Sequence, residues 1–446
     1  GIRAANFYLK ETAGLTFDEW KYSDDYEAIM KEFTNYQYEV RFLRAYFYFE
    51  LIKRYRNIPF VLDVLAQNEA NGVNPESYEK IAKFIVDECS DLAQILPVNY
   101  DNFSTKEKGR VTRAAAMALK SRVTLYMASP LFSEDSEDKW KQAAEAAYDI
   151  IKQKTDLGLD LVPYPQIFND VNNQKAEVIL YRPTGESGDF EKANFPIGVE
   201  GGKTSTCPTQ NLMEAYDMKD GTPFVWNNQS NPYDNRDPRM KYTIVCNEMK
   251  WPVDPVEIWE GGTNGLPLQN ATTTGYYLKK YVNNTISFEA GSTVTKKQHN
   301  WVLFRYGEIL LNYAEAMINA FHDPNYKDAV YNMSAREAVN QIRGRTNISL
   351  PGFPSDITEK DFVKRLKNER RVELAFEGHR FWDVRRWKEL GQTANIYGVK
   401  ITKNNEVISY EKFLLETRAV TDNMYFYPIP NTERFKNPNL GQNPGW

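Results

Sequence analysis

The densest gathering of titratable residues is the run Asn368-Glu369-Arg370-Arg371-Val372-Glu373-Leu374-Ala375-Phe376-Glu377-Gly378-His379-Arg380-Phe381-Trp382-Asp383. Glu373 and Glu377 stand one helical turn apart, with His379 close behind. Two carboxyls separated by roughly 5–9.5 Å can hydrolyse a glycosidic bond. Side chains at i and i+4, however, leave one face of a helix and do not flank a sugar. Arg370, Arg371, Arg380, Arg385 and Arg386 are interleaved at spacings that favour ion pairs. A paired carboxylate has a lowered pKa, the wrong direction for a general acid. The spacing therefore predicts a structural network of Glu369, Arg370, Glu373, Glu377, Arg380 and Asp383 that locks helices together, with no catalytic residue.

Other chemistry is thinly represented. There is no Gly-rich phosphate loop, no Gly-x-Ser-x-Gly elbow and no Cys/His pair. The three histidines, His299, His322 and His379, lack metal-ligand spacing, so neither metal nor cofactor is expected. Cys89 falls on an apolar helical pattern as a buried thiol, while Cys207 and Cys246 lie in loop-rich sequence and are able to pair in an oxidising compartment. Asp237 or Arg239, either side of Pro238, is placed to brace a loop base.

The remaining candidates are aromatic. Sugar rings present flat faces of C–H bonds, which exposed indole or phenol rings accommodate while polar neighbours orient the hydroxyls. Trp226 beside Asn227 and Asn228, Trp251, Trp259 near Asn264, and the Tyr276–Tyr277 pair fit that description. Each is also able to anchor a loop instead, as is Tyr233.

Three kinds of sequence position these residues. Residues 1–155 are helical: Tyr38–Arg56 carries two apolar stripes, Ser77–Leu96 has Ile81, Ile85, Cys89 and Leu92 in phase, Thr112–Ser129 is Ala-rich, and Trp140–Lys152 follows. Residues 156–300 are rich in Pro, Gly, Asn and Thr, with short strands expected at Val178–Tyr181, Tyr242–Val245 and Tyr276–Tyr281 among long loops. Residues 301–390 return to helix over Trp301–Ala320, Ser334–Thr346, Thr358–Phe376 and Phe381–Leu390, and 391–446 reads as an extended, Pro-rich tail on the scaffold. Ala144-x3-Tyr148 and Ile309-Leu310-x2-Tyr313 loosely match tetratricopeptide positions, which favours stacked helix pairs within one domain.

The chain has 446 residues, 42% hydrophobic and 14% aromatic, enough to bury a sizeable core. A net charge of −5 without long basic runs excludes a nucleic-acid track. No run approaches the roughly 18 apolar residues of a membrane-spanning helix. Gly1 opens inside a helical pattern with no secretory leader, so a preceding segment is expected.

Four segments, read together, resemble the SusD/RagB family. They are Glu39-Val40-Arg41-Phe42-Leu43-Arg44-Ala45-Tyr46 with Leu51–Tyr55 and Ile58-Pro59; Arg305–Leu311 with Tyr313–Ala316 and Asn340–Arg345; Asn368–Asp383 through Arg386-Trp387; and Tyr427-Pro428-Ile429-Pro430 with Asn437–Leu440 and Gln442–Trp446. Their order covers essentially the whole chain. The resemblance implies a mainly α fold, a right-handed stack of tetratricopeptide-like helix pairs with a variable loop-rich part. It also implies a lipoprotein on the extracellular face of the outer membrane that hands oligosaccharides to a TonB-dependent, SusC-like transporter. The signal peptide and lipid-bearing cysteine of the family are not seen here. Oligopeptide capture, a purely structural lid and a helical glycoside hydrolase using Glu373 and Glu377 stand as the alternatives.

Overall fold

The structure, a computed structural model, describes every residue except 106, 135, 228–230 and 290–294. Nine principal helices follow from local signals: α1 Ile2–Glu11, α2 Tyr26–Tyr55, α3 Tyr78–Ile95, α4 Arg113–Ala128, α5 Glu137–Lys152, α6 Tyr306–Phe321, α7 Ala335–Arg343, α8 Glu359–Glu373 and α9 Arg380–Arg386. Hydroxyl caps open four of them: Ser77 accepts from the Lys80 N–H, Ser136 from Lys139, Ser334 from Glu337 and Thr358 from Asp361. Ser334 and Glu337 form a reciprocal capping box, satisfying donors that a helix start otherwise leaves open.

Each helix from α1 to α7 packs on the next principal helix in the chain, α6 following α5 across the loop-rich segment, and α8 packs against α6. The fold is the tetratricopeptide-like helical stack that the sequence implies. Ala114, Ala115, Ala116 and Ala118 of α4, with Ala314 and Ala316 of α6, are wholly or nearly buried and allow close helix approach. Together with Ile81, Ile85, Leu92, Leu310 and Ile342 they form the principal apolar core.

The loop-rich segment builds a second body with its own core, in which Tyr216, Ile244, Tyr276 and Tyr277 pack with Val399, Ile401 and Tyr410. The last three residues come from a long antiparallel hairpin, β5 Asn395–Asn404 with β6 Val407–Thr417, where the sequence reading places an extended tail. Alternation at Val399 and Ile401 buries one strand face against the loops. Two further antiparallel pairs form: β1 Val178–Pro183 with β4 Asn300–Arg305, and β2 Ile244–Val245 with β3 Tyr277–Leu278. The helix expected from Trp301 accordingly begins at Tyr306, because Trp301–Arg305 pairs with β1. No helix among the described residues is long and apolar enough to cross a membrane.

Candidate ligand-binding cleft

The acidic run that opens the sequence analysis lies at the junction of the two bodies, and its carboxylates are fully engaged. Arg305 Nη1 contacts Glu177 Oε1 at 2.8 Å and Glu373 Oε1 at 2.9 Å, while its Nε reaches Glu377 at 2.7 Å. Arg345 joins Glu177 (3.0 Å) and Glu373 (2.8 Å). From the loop-rich body, Arg239 bonds Asp237 at 2.7 Å, Glu369, and Glu373 at 2.9 Å, and Lys280 bonds Glu377 at 2.8 Å. Arg343 completes the set on Glu369 at 2.8 Å. Five carboxylates (Glu177, Asp237, Glu369, Glu373, Glu377) thus face five cations (Arg239, Lys280, Arg305, Arg343, Arg345). Burial of a set with balanced charge is tolerable, whereas an unpaired member would be costly. Burial pushes the carboxyls of Glu369, Glu373 and Glu377 up, but the surrounding cations override it and hold all three below the ordinary range. That is opposite to a general acid.

Arg370 and Asp383 form an adjoining cluster at 3.0 Å, with Arg386 on Asp383 at 2.9 Å and on Glu315. Two details differ from expectation. The partners of Glu369, Glu373 and Glu377 come from residues 239, 280, 305, 343 and 345 rather than from the interleaved arginines. Arg380 stands outside the network, its guanidinium donating to Gln392 Oε1 at 2.9 Å, because it leaves α9 toward the surface.

Among the aromatic candidates, burial reverses two. Tyr276 and Tyr277 are both 0% exposed and offer no ring to a ligand. Successive residues of a strand point to opposite faces, and here both faces are covered. The Tyr276 hydroxyl donates to Gln210 and that of Tyr277 to the Asn264 carbonyl, so both are core anchors. Trp226 is half-buried, with Phe224 edge-on at 6.4 Å and exposed Asn227 beside it; Asn228 lies outside the described residues. Trp259 is half-buried beneath the Lys403 ammonium of the hairpin, 4.2 Å from the ring centre. Tyr233 packs on Tyr276 and Tyr410 in the second core.

Trp251 lines an open cleft of about 630 Å³ in the loop-rich body. Its walls are Phe195, Trp251 and Phe288, and Asn284, Thr285 and Ser287 stand on its rim. Three carboxylates, Glu200, Asp254 and Glu289, also line it, with no Lys, Arg or His among the described residues. Trp251 is 7% exposed, and its buried Nε1 has no hydrogen-bond partner among the described residues. A tight turn holds it: the Trp251 N–H donates to the Asp254 carbonyl at 2.9 Å and Val256 N–H to Met249 at 2.9 Å. The Lys279 ammonium lies over the ring, 4.9 Å from its centre.

The other walls are built with equal economy. Asn264 lines the cleft, but its amide is spent on structure, accepting from the Glu257 N–H at 2.9 Å and donating to the Ile197 carbonyl at 2.6 Å. It staples the 196–202 loop to the 257–264 turn, so its proposed contact with ligand is replaced by a bracing role. Gly198 permits that closeness: its φ is +87° and a Cβ there would meet the Thr263 carbonyl oxygen at 2.2 Å. Phe288 lies across Gly201, where a Cβ would come within 2.8 Å of it. The segment before Phe288 is held by Glu191, whose carboxylate accepts from the Asn283 N–H at 3.0 Å and pairs with His299 Nε2 at 2.9 Å. Asn283 then turns the chain by accepting from Thr285 N–H (3.0 Å) and hydroxyl (2.7 Å).

Phe195, Phe288, Asn284, Thr285 and Ser287 escaped the sequence reading, which weighed only Trp and Tyr as platforms. The signal was nevertheless present in Asn283-Asn284-Thr285-Ile286-Ser287-Phe288, an aromatic closing a run of turn-forming polar residues. Cys89, Cys207 and Cys246 are all free thiols; Cys246 is buried in the second core rather than paired with Cys207.

A stack of tetratricopeptide-like helix pairs that carries a loop-rich body with an open, aromatic-walled cleft defines the class of this chain. Residues 167–446 match the family model described as the SusD family, and the chain belongs to that family. A SusD-like protein from Bacteroides fragilis superposes with a TM-score of 0.79 at 26% identity, covering 100% of this chain and 84% of that one. A SusD-like carbohydrate binding protein from the same species gives the same score and identity over 99% and 84%. Surface glycan-binding protein A from Bacteroides uniformis, 18% identical, shares the fold with a TM-score of 0.66 over 99% and 82% of the two chains. SusD-like protein P2 of Formosa agariphila is 29% identical over 163 residues, which are 35% of this chain and 28% of that relative's length.

Proposed function

We propose that this protein captures neutral oligosaccharides in the cleft walled by Phe195, Trp251 and Phe288, without catalysing a reaction on them. The observation that carries this reading is the composition of the cleft: aromatic and apolar side chains, hydroxyl and amide groups, and, among the described residues, no cation to select an anionic ligand, while Glu200, Asp254 and Glu289 disfavour one. A family relative, 26% identical, is a carbohydrate binding protein. The part of the reading without turnover is supported by Glu373 and Glu377, the carboxylate pair whose spacing in the sequence suggests hydrolysis, which are buried and spent on guanidinium and ammonium partners. Membership of the SusD family supports the rest of the proposal: a place on the outer face of the outer membrane, attachment by an N-terminal lipid, and delivery of cargo to a SusC-like, TonB-dependent barrel.

Calorimetric titration with panels of neutral oligosaccharides and of oligopeptides tests the reading. The expected outcome is saccharide binding without release of reducing ends, weakened about tenfold or more by Phe288→Ala through loss of a stacking wall. Retention of peptides with no saccharide bound would replace the ligand class. Release of reducing ends lost in Glu373→Gln would replace the whole reading with hydrolysis.

A further inference from the structure

The outward face of α8 carries a feature that the cleft does not use. Its inward face is the buried side of Phe362, Leu366, Glu369 and Glu373. On the other side Lys360, Lys364, Lys367 and Arg371 recur at intervals of four, three and four residues, which makes a single stripe along the helix. All four line an open groove of about 810 Å³ that also takes in Arg380. The opposite wall is the 214–224 segment, tied to α8 by three side-chain bonds to its carbonyls or to the residues just before it. Arg365 donates to Gly221 O at 2.8 Å, Asn368 to Ala215 O at 2.7 Å and Arg371 to Asn211 O at 2.8 Å.

The cations in the middle and at one end of this groove lack counter-charges. Among the described residues Lys364, Arg371 and Arg380 have no carboxylate within 4 Å, and the bonds of the two guanidiniums go to neutral oxygens, Asn211 O and Gln392 Oε1. Two carboxylates of the groove are committed outside it, Glu214 to Lys412 at 2.8 Å and Asp217 to Arg343 at 3.3 Å, and Glu389 pairs within it with Lys367 at 2.5 Å, which leaves Lys364, Arg371 and Arg380 without a carboxylate among the described residues. Asp356 and Asp361 stand near Lys360 at the start of the helix. Burial, together with the neighbouring Arg380 guanidinium, pushes the Arg371 pKa down to about 10, as expected of adjacent like charges without an anion between them.

We propose that this groove is a second binding site, which takes an anionic oligosaccharide by its carboxylate or sulfate groups. The stripe offers a cation about every 5–6 Å over roughly 16 Å of helix, a repeat suited to a short polymer with one charge on each ring. Guanidinium forks pair with carboxylate and sulfate oxygens alike. Pro223 and Phe224 supply a flat apolar wall for the ring faces, and Trp226 lies 6.4 Å from Phe224 on the same segment. The saccharide part of the inference rests on the reading proposed for the cleft; the anionic part rests on the groove alone.

The test uses the whole chain with four probes of similar length: a neutral gluco-oligosaccharide, an oligogalacturonate, a sulfated oligosaccharide and polyglutamate. Affinities are measured at low and at moderate salt, in wild type, Lys364→Ala, Arg380→Gln and Phe288→Ala. At least one charged saccharide is expected to bind, more weakly as salt rises, and to lose about tenfold in each groove variant, the worth of one charge-assisted contact. Phe288→Ala leaves that binding unchanged and weakens only the neutral ligand, so failure of the cleft reading and failure of the groove reading appear in different columns. Whichever of the carboxylated and sulfated probes binds names the anion. Wild-type affinity in both groove variants overturns the proposal, as does binding of polyglutamate in preference to either saccharide, which would make the groove a seat for an acidic protein segment.

Discussion

The helical frame and the loop-rich body bury comparable side chains but fasten them with different chemistry. In the frame, alanines and aliphatic residues of α3 to α6 close the core, and the largest buried set of charges, five carboxylates and five cations around Glu373, lies where the frame meets the body, beside the smaller Arg370–Asp383–Arg386–Glu315 cluster. The body has no long helix to satisfy its backbone, and its core is made of rings whose polar ends reach loop atoms, as Tyr276 does to Gln210 and Tyr277 to Asn264. In both regions the residues that look most like functional equipment are fastenings. Paired glutamates clamp, and paired tyrosines anchor. The proposed ligand cleft sits instead at turns, lined by Trp251, Phe288 and the Asn284–Ser287 segment.

The largest effect should come from Glu373→Gln. The carboxylate accepts from Arg239, Arg305 and Arg345 at 2.8–2.9 Å, and the amide would leave three buried guanidiniums short of one negative charge. Breaking a buried set in this way costs about 3–5 kcal/mol, read as a lower midpoint in urea at neutral pH. The same group makes the fold acid-sensitive. Its folded pKa lies below the ordinary 4.5, so the stability it contributes is complete above 4.5 and is lost as pH falls from there toward the folded value. The variant should therefore show a shallower loss than wild type on acidification below 4.5. An unchanged midpoint would mean that the clamp is ornamental and that the contrast between the two regions is misplaced.

The clamp also shows how far the sequence could be read. Helices were legible because their signals are local: Ser77, Ser334 and Thr358 cap runs whose apolar residues recur at three and four. That Glu369, Glu373 and Glu377 would be paired was legible from the surplus of arginines nearby. Which cations pair them was not, because Arg239 and Arg305 arrive from 134 and 68 residues away and only the fold brings them in. The hairpin of Asn395–Thr417 carried a period-two signal at Val399 and Ile401 and a turn at Asn405-Glu406, overshadowed by the prolines that follow. Aromatic type announced the second core without saying which way each ring faces. Tyr276 and Trp251 look alike in a string of letters, and only the covering by β2 and β5 separates an anchor from a wall.

Gly198→Ala should have an intermediate effect on stability and a greater one on binding. The residue sits at φ +87°, and its new methyl would press on the Thr263 carbonyl at 2.2 Å, prising the 196–202 loop from the turn that Asn264 holds. Strain of this kind is worth about 1–3 kcal/mol, visible in urea, while titration of the folded variant should show neutral saccharide affinity falling further than in Glu373→Gln. If the two variants lose affinity equally while folded, the cleft and the clamp are not separable.

Trp251→Phe should change stability least. Truncation of the indole removes apolar contacts with the second core, which is destabilising. It also removes a buried N–H that has no partner among the described residues, and loss of an unsatisfied donor is favourable by a comparable amount. The two terms oppose each other, so the net change should stay within about 1.5 kcal/mol, with a modest fall in saccharide affinity from the smaller wall. A loss as large as that of Glu373→Gln would show that the indole N–H is engaged in the folded protein, and Trp251 would then belong with Tyr276 and Tyr277 among the anchors rather than with Phe288 on the wall.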